Sequence, residues 1–302
     1  MKSVAIQIGP LAIHWYSLMI LSGILGGIQL AKFNARRWGE DPEHIYNIAL
    51  YGTLLAIVCA RAYYVAFQWN SYYAHKPGEI LQVWHGGLAI HGAVIGAILA
   101  CWLYCRHHKL DVLKYFDLSA PALLLGQVIG RWGNFFNREA YGAPALAPEW
   151  WPQWLRAGDS QGFLPWGLAI DAEHRIPPFD NLYAWPAEGP ARTYFHPTFL
   201  YESAWDLAGL GAILWLTRRF TIPRGNVLLM YFIVWGTGRV WVEALRTDPL
   251  VFMAFGQTIR IAQVMSVALA ATGVAVIAIR YALSRRRPAA PPPSSPLEAH
   301  NS

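Results

Sequence analysis

Long apolar runs, separated mostly by short polar stretches, dominate the chain. A helix that crosses a bilayer needs about 20 mostly apolar residues. The pattern predicts about seven transmembrane helices, and hence an all-α, polytopic membrane protein. The first run lacks a basic lead-in and a small-residue exit, which predicts a retained helix rather than a cleaved signal peptide. The predicted spans cover residues 12–31, 45–68, 87–105, 115–133, 197–217, 227–243 and 260–283.

One connection between the predicted spans is long. Residues 137–196 are rich in Pro, Trp and Gly and show no helical period. A disordered linker is the alternative, but disordered segments rarely keep so many aromatic residues. We therefore expect a small irregular or β-containing head at about 143–195, within a membrane domain that covers 1–287. Residues 288–302 are rich in proline and serine, which predicts a disordered tail.

Basic residues alternate from one loop to the next. They concentrate after the first, third, fifth and seventh spans, and the loops between are poorer in them. Loops rich in Lys and Arg stay in the cytoplasm. The pattern predicts an N-terminus outside, an extracytoplasmic head, and a C-terminus and tail in the cytoplasm. The residues concerned are Lys32, Arg36, Arg37, Arg106, Lys109, Lys114, Arg218, Arg219, Arg224, Arg285, Arg286 and Arg287.

Composition agrees with a membrane setting. Of the 302 residues, 55% are hydrophobic and 14% are charged, whereas soluble domains carry roughly 25% charged residues. This excludes an ordinary cytosolic enzyme. The net charge is +6. The basic residues form short clusters between apolar runs, and membrane topology explains these clusters, so we expect no nucleic-acid partner. Cys59, Cys101 and Cys105 lie in apolar stretches and predict buried thiols rather than a disulfide framework or a metal centre.

Some charged residues lie where lipid is expected. An arginine at mid-helix costs about 2.5–3.5 kcal/mol on insertion scales, so it usually faces a polar partner. Arg61, Arg131 and Arg239 occupy such positions. Arg239 and Glu243 are four residues apart and able to pair on one helix face, which Arg246 extends. Two structural explanations remain for each arginine: its side chain extends to the membrane surface (snorkelling), or it forms a simple interhelix ion pair. Other nearby acceptors are Glu139, Glu202 and Asp206.

Two polar clusters carry candidate chemistry. In the segment 130–142, Arg131, Asn134 and Asn137 recur every three residues, so a continuing helix would point them to one side. A guanidinium fork suits phosphate, which predicts a site for lipid headgroups at the outer end of the fourth span. In the segment 85–92, His91 enters an apolar helix. It is either a satisfied structural histidine or a proton acceptor.

These motifs resemble those of the bacterial prolipoprotein diacylglyceryl transferases. The stretch GRWGNFFNREAYG is similar to the family signature G-R-x-G-N-F-x-N-x-E-x-x-G at every fixed position, and the resemblance extends over about 280 residues. Ser17 and Trp235 depart mildly from the family pattern. Further matching motifs are His14-Trp15-Tyr16, Trp84-His85-Gly86-Gly87, His91-Gly92, His196-Pro197-Thr198, Leu200-Tyr201-Glu202 and the run from Arg239 to Arg246.

The resemblance implies a reaction. It implies transfer of the diacylglyceryl unit of phosphatidylglycerol to the thiol of the lipobox cysteine in a prolipoprotein, with a thioether formed and glycerol phosphate released. The implied partners are phosphatidylglycerol, prolipoprotein signal peptides with a lipobox cysteine, and membrane lipids. The implied location is the bacterial cytoplasmic (inner) membrane, as a multi-pass protein. No metal or other cofactor is required.

Within this hypothesis each candidate residue has a role. Arg131 and Arg239 would bind the phosphate, and His91 would be the base for the thiol. Tyr16 would position the substrate. The residues that shape the headgroup site or orient the arginines would be Asn134, Asn137, Glu139, Gly142, Glu243 and Arg246.

Other classes of function stay open. A polytopic lipid or ion-coupled transporter would use polar intramembrane residues as a transport path, and it predicts inverted repeats. We see no repeat in the sequence. A purely structural scaffold would not need the cluster of arginine and asparagine.

Overall fold

Seven long α-helices dominate the computed structural model, which describes residues 4–9, 11–146, 164–170, 174–175, 193–246, 251–254 and 257–286. Each helix overlaps one predicted span, which confirms the mostly helical prediction. The helices are α1 (Trp15–Arg37), α2 (Pro42–Phe67), α3 (Ile90–His107), α4 (Val112–Asn137), α5 (Thr198–Arg219), α6 (Asn226–Leu245) and α7 (Ile261–Arg286).

Six of these helices are long and apolar enough to cross a membrane. They make the chain a multi-pass membrane protein. Among the described helices α5 does not meet that standard, because its sequence carries Glu202, Asp206, Arg218 and Arg219. Its two carboxylates are buried against other helices rather than exposed to lipid.

Helix ends follow from local sequence. The Asp41 side chain accepts a hydrogen bond from the backbone N–H of Glu43 (2.9 Å), and Pro42 fills the first turn of α2. Asp111 caps α4 in the same way. At its other end α4 runs four residues beyond the predicted span and stops where Arg138 adopts a left-handed conformation (φ +54°). The signature motif therefore lies on the last helical turns and the loop that follows.

Small residues let the helices approach closely. A side chain at Gly27 of α1 would meet the Ala122 carbonyl oxygen of α4 at 3.0 Å. A side chain at Gly96 of α3 would meet the Ala56 Cα of α2 at 2.8 Å. In a bilayer, close backbone approach of this kind is a main source of helix association. Because α4 packs against α1, α5 and α6, it is the central helix of the bundle.

Three antiparallel strand pairs lie at the ends of helices. They are β1 (Val4–Ile8) with β2 (Leu11–His14), β3 (Leu168–Ile170) with β4 (Thr193–Phe195), and β5 (Val251–Ala254) with β6 (Gln257–Arg260). The β3–β4 pair aligns Leu168 with Phe195 and packs on Tyr141. This is the described part of the predicted head at 143–195. The rest of that head and the predicted tail at 288–302 lie outside the described residues.

The opposite end of the bundle is tied together by charged side chains. Asp117 of α4 accepts hydrogen bonds from the backbone N–H groups of Gly225 (2.6 Å) and Leu228 (2.8 Å) and so caps α6. Glu40, in the loop between α1 and α2, pairs with Lys114. Burial raises the pKa of Glu40, but hydrogen bonds from Lys114 and Tyr115 outweigh it and hold that pKa below its ordinary value. All three cysteines are free.

Candidate active site

A cluster of ion pairs joins α4, α5 and α6. Arg131 of α4 pairs with Glu202 of α5. Arg239 of α6 reaches the same carboxylate, with its Nη1 3.4 Å from Glu202 Oε1, and its Nη2 lies 2.8 Å from Glu243 Oε2. Arg246 extends the chain of contacts, with its Nε 3.9 Å from Glu243 Oε2. We call these five residues the ion-pair cluster.

The two carboxylates of the cluster are buried, and its three arginines are half-buried. Glu202 is 3% exposed and Glu243 is 2% exposed. Removing one partner of a buried ion pair typically costs about 3–5 kcal/mol, because the other charge is left without compensation. Three guanidinium groups face two carboxylates, so the cluster carries surplus positive charge when every member is ionised. An anion such as a phosphate diester complements that surplus.

Neighbouring hydrogen bonds join α5 to α4, and join α7 and the residue before it to α6. The Ser203 hydroxyl of α5 donates to the Val128 carbonyl of α4 (2.9 Å). Gln263 of α7 donates to the Val240 carbonyl of α6 (2.9 Å), and Arg260 donates to the Glu243 carbonyl. These contacts fix the backbone beneath both carboxylates of the cluster.

The amides of the signature motif form a second, more exposed group. Asn134 Nδ2 lies 3.1 Å from Glu139 Oε1, and Asn137 Nδ2 lies 3.3 Å from the same oxygen. Glu139 is exposed at the end of α4. Glu139 thus joins the two asparagines, and all three residues lie at the same end of α4 as Arg131.

Tyr16 lies against this end of α4. A side chain at Gly133 would meet Tyr16 Cδ2 at 2.7 Å, so only glycine lets the tyrosine ring pack there. The preceding Trp15 stacks on Phe136 with ring centroids 5.0 Å apart. The start of α1 is therefore fixed beside the signature motif.

Gly142 is a point of close backbone approach. Its N–H donates to the His196 carbonyl (2.9 Å), and it forms an antiparallel bridge with Arg246. A side chain at Gly142 would meet His196 Cβ at 2.7 Å and the Leu245 carbonyl oxygen at 2.9 Å. The glycine thereby ties the signature motif to the end of α6 that carries Arg246.

His91 lies elsewhere. It is exposed at the first turn of α3, and its ring stacks on Tyr63 of α2 with centroids 5.9 Å apart. Within the described residues, no hydrogen bond or ion pair joins His91 to the ion-pair cluster. The structure brings the arginines and their carboxylates together and leaves this histidine on a neighbouring helix pair.

Arg61 of α2 is engaged by a single loop. Its guanidinium is buried and donates five hydrogen bonds at 2.7–3.4 Å. This arrangement holds the glycine loop that leads into α3, so the polar partners of this arginine are loop carbonyls rather than a side chain of another helix. The acceptors are the carbonyl oxygens of Glu79, Ile80, Gln82, Gly86 and Gly87.

Comparison with known proteins decides the family. The family model described as prolipoprotein diacylglyceryl transferase matches residues 3–279. The chain belongs to the prolipoprotein diacylglyceryl transferase family. The resemblance inferred from the motifs is thus confirmed, and the protein is a transferase.

Curated relatives are similar in sequence to this chain over most of their length. The Chloroflexus aggregans phosphatidylglycerol–prolipoprotein diacylglyceryl transferase is 40% identical over 299 residues, covering 94% of this chain and 89% of the relative. The protein of the same name from Synechococcus elongatus is 40% identical over 288 residues, with the same coverage. That from Geobacillus kaustophilus is 39% identical over 279 residues, covering 92% of each chain.

Two residues of the candidate site were not among the predicted site residues. Glu202 was predicted only as a nearby acceptor, yet it joins Arg131 to Arg239. The signal was present in the matching Leu200-Tyr201-Glu202 motif. His196 is also close by, with its Nδ1 3.1 Å from the Tyr201 hydroxyl. Burial holds the pKa of His196 below its ordinary value.

Proposed function

We propose that the protein transfers the diacylglyceryl group of phosphatidylglycerol to the thiol of the lipobox cysteine of a prolipoprotein. The observation that carries this proposal is the ion-pair cluster, which presents guanidinium groups from two helices on buried carboxylates in a membrane protein of this family. Three relatives bear the name of this activity.

The chemistry is a substitution at the glyceryl carbon. The thiol gives up its proton, and sulfur forms a bond to the carbon that carries the phosphate ester. The carbon–oxygen bond to the phosphate breaks, and its electron pair leaves with that oxygen as glycerol phosphate. A cysteine thiol has a pKa of about 8.5, so a nearby base favours the step.

Arg131 and Arg239 bind the phosphate in this proposal. Negative charge grows on the leaving phosphate as the carbon–oxygen bond breaks, and fixed donors in a site of low dielectric stabilise that charge. Glu243 holds Arg239 in place, since the two side chains pair at 2.8 Å. Arg246 extends the helix face that carries Arg239 and Glu243. Asn134, Asn137, Glu139 and Gly142 shape the outer side of the headgroup site.

His91 is the proposed base, and Tyr16 positions the substrate. The exposed position of His91 at the first turn of α3 is open to an incoming peptide. Histidine is the side chain that most often serves as a general base. The substrate thiol therefore has to lie between α3 and the ion-pair cluster.

We further propose that α5 is the seventh span and that the N-terminus lies outside. Arg36 and Arg37 end α1, Arg106 and His107 end α3, and Arg218 and Arg219 end α5. Such enrichment marks the cytoplasmic side. This distribution of basic residues supports an extracytoplasmic head and a cytoplasmic tail at 288–302. We likewise propose a membrane domain at 1–287 and a place in the cytoplasmic membrane of a bacterium.

Reconstitution tests the proposed function. Purified protein in liposomes is supplied with phosphatidylglycerol and a lipobox peptide, and the mass of the peptide is measured by mass spectrometry. We expect a thioether-linked diacylglyceryl peptide and an equal amount of glycerol phosphate. The absence of both products, under conditions where a known transferase makes them, would contradict the proposal and favour a transporter.

A further inference from the structure

A second polar layer lies deeper in the bundle than the ion-pair cluster. Gln127 precedes Arg131 by four residues on α4, and Asp206 follows Glu202 by four residues on α5. Residues four apart share a helix face, about one turn or 5.4–6 Å apart. Tyr231 of α6 joins them, because Gln127 Nε2 donates to its hydroxyl (3.0 Å). We call Gln127, Asp206 and Tyr231 the inner polar layer.

Two oxygen atoms of this layer have no hydrogen-bond partner. Asp206 is 1% exposed, yet within the described residues its Oδ2 accepts no hydrogen bond. Gln127 Oε1 is in the same condition. Buried polar atoms are nearly always paired, and leaving one unpaired is unfavourable. Both atoms are able to accept hydrogen bonds, so a group that donates them belongs in this layer.

The layer is also coupled to the phosphate-binding side chains. Asp206 interacts electrostatically with Arg131 and Glu202 from above, and with Tyr231 from the facing helix. The Ser203 hydroxyl, which lies between the two layers on α5, is already committed to the Val128 carbonyl. The unpaired oxygens are therefore directly beneath the cationic cluster, with no described side chain supplying them a donor.

We propose that the inner polar layer is a subsite for the hydroxyl groups of the lipid headgroup, and that Asp206 and Gln127 determine selectivity for a polyol. This inference rests on the proposed function. With the phosphate on Arg131, the glycerol hydroxyls of phosphatidylglycerol extend by a distance of about one helical turn. There they donate to Asp206 Oδ2 and Gln127 Oε1. A site built to bind a hydroxyl discriminates against an analogue that lacks it.

Selectivity between two lipids gives the test. Phosphatidylpropanol has the same phosphodiester charge and the same number of headgroup carbons as phosphatidylglycerol, but no headgroup hydroxyl. In liposomes we expect the wild-type kcat/KM for phosphatidylglycerol to exceed that for phosphatidylpropanol about 10- to 100-fold, as one or two hydrogen bonds allow. In Gln127→Met and Asp206→Leu, we expect this ratio to fall towards one.

Two further variants separate selectivity from folding. Asp206→Asn keeps an acceptor oxygen and a similar shape, so it should retain an intermediate ratio. Ser203→Ala removes a buried hydroxyl from the same helix pair without touching the unpaired oxygens, and it should leave the ratio at the wild-type value. A loss of fold alone lowers transfer from both lipids equally and does not move the ratio.

The outcomes are distinct. Equal use of the two lipids by the wild type, or an unchanged ratio in either Gln127→Met or Asp206→Leu, overturns the subsite and leaves ordered water as the donor. Absence of transfer from phosphatidylglycerol by the wild type overturns the proposed function, and the subsite with it.

Discussion

Glu202 is the residue on which the candidate site depends most. One carboxylate, 3% exposed, joins an arginine of α4 to an arginine of α6. The ion pair of Arg239 with Glu243 is readable from their spacing of four residues, and the structure contains it. The Glu202 contacts join different helices, so no spacing in the sequence encodes them. These contacts form only in the folded protein, where α5 packs against both α4 and α6.

Glu202→Gln tests this central carboxylate. The change removes a buried carboxylate charge that Arg131 and Arg239 share, so we expect the free energy of unfolding to fall by about 3–5 kcal/mol. Transfer should fall about 100-fold, because the arginines lose their fixed orientation. Thermal unfolding in detergent and the transfer assay measure the two effects.

Glu79→Gln is the matched control. Glu79 belongs to a partly exposed pair with Lys76 at 3.8 Å, and such pairs contribute about 1 kcal/mol or less. If both variants behaved alike, the special role of the buried carboxylate would be refuted.

His91 requires its own experiment, because it stands apart from the cluster. If it removes the thiol proton, His91→Gln should lower transfer about 10²- to 10⁴-fold at neutral pH, the usual contribution of a general base. His107→Gln changes an exposed histidine at the other end of α3 and should have little effect. Near-normal transfer of labelled diacylglyceryl by His91→Gln would remove the base role.

Helices were the part of the fold that the sequence predicted best. A run of about 20 apolar residues has few alternatives in a bilayer, because every backbone N–H and C=O must be paired within the segment. All seven predicted runs are helical. The three short strand pairs were not predicted individually, because three to five residues carry too little periodicity. The β3–β4 pair also contacts residues distant in sequence, such as Pro144, which bridges to Phe195.

Close packing of α2 and α3 gives a test of helix association. A methyl group at Gly96 would meet Ala56 Cα at 2.8 Å, so Gly96→Ala has to push the two helices apart. We expect a loss of about 1–3 kcal/mol in unfolding free energy, the usual cost of overpacking. Unfolding of the purified variant in detergent measures it.

Gly52→Ala supplies the control within α2. A methyl group there meets nothing within 4 Å, and alanine is favoured over glycine in a helix by about 0.5–1 kcal/mol. We expect a small gain in stability. Equal stability of the Gly96→Ala and wild-type proteins would show that the helices do not need this close approach.

Over the whole molecule, charge is sparse and is divided between two tasks. Basic residues at the ends of α1, α3 and α5 indicate orientation. Those in the ion-pair cluster form the candidate site. The sequence alone predicted this division but not the role of Arg61, whose five carbonyl acceptors belong to one loop distant from it in sequence.

Labelling of single cysteines tests the orientation. In a variant with the three native cysteines replaced by alanine, Ser71→Cys lies in the loop after α2 and Thr221→Cys in the loop after α5. We expect a membrane-impermeant maleimide to label Ser71→Cys in intact spheroplasts, and Thr221→Cys only after permeabilisation. The reverse pattern would contradict an N-terminus outside.

Transfer by the arginine variants tests most directly whether Arg131 and Arg239 bind the phosphate. Liposomes with phosphatidylglycerol and a lipobox peptide are supplied with wild type, Arg131→Ala, Arg239→Ala, or the surface control Arg218→Ala, each shown by thermal unfolding to be folded. We predict equal amounts of thioether peptide and glycerol phosphate from the wild type and the control, and about 10²- to 10³-fold less of both from the other two. Full activity of Arg131→Ala or Arg239→Ala would contradict the claim that these arginines bind the phosphate.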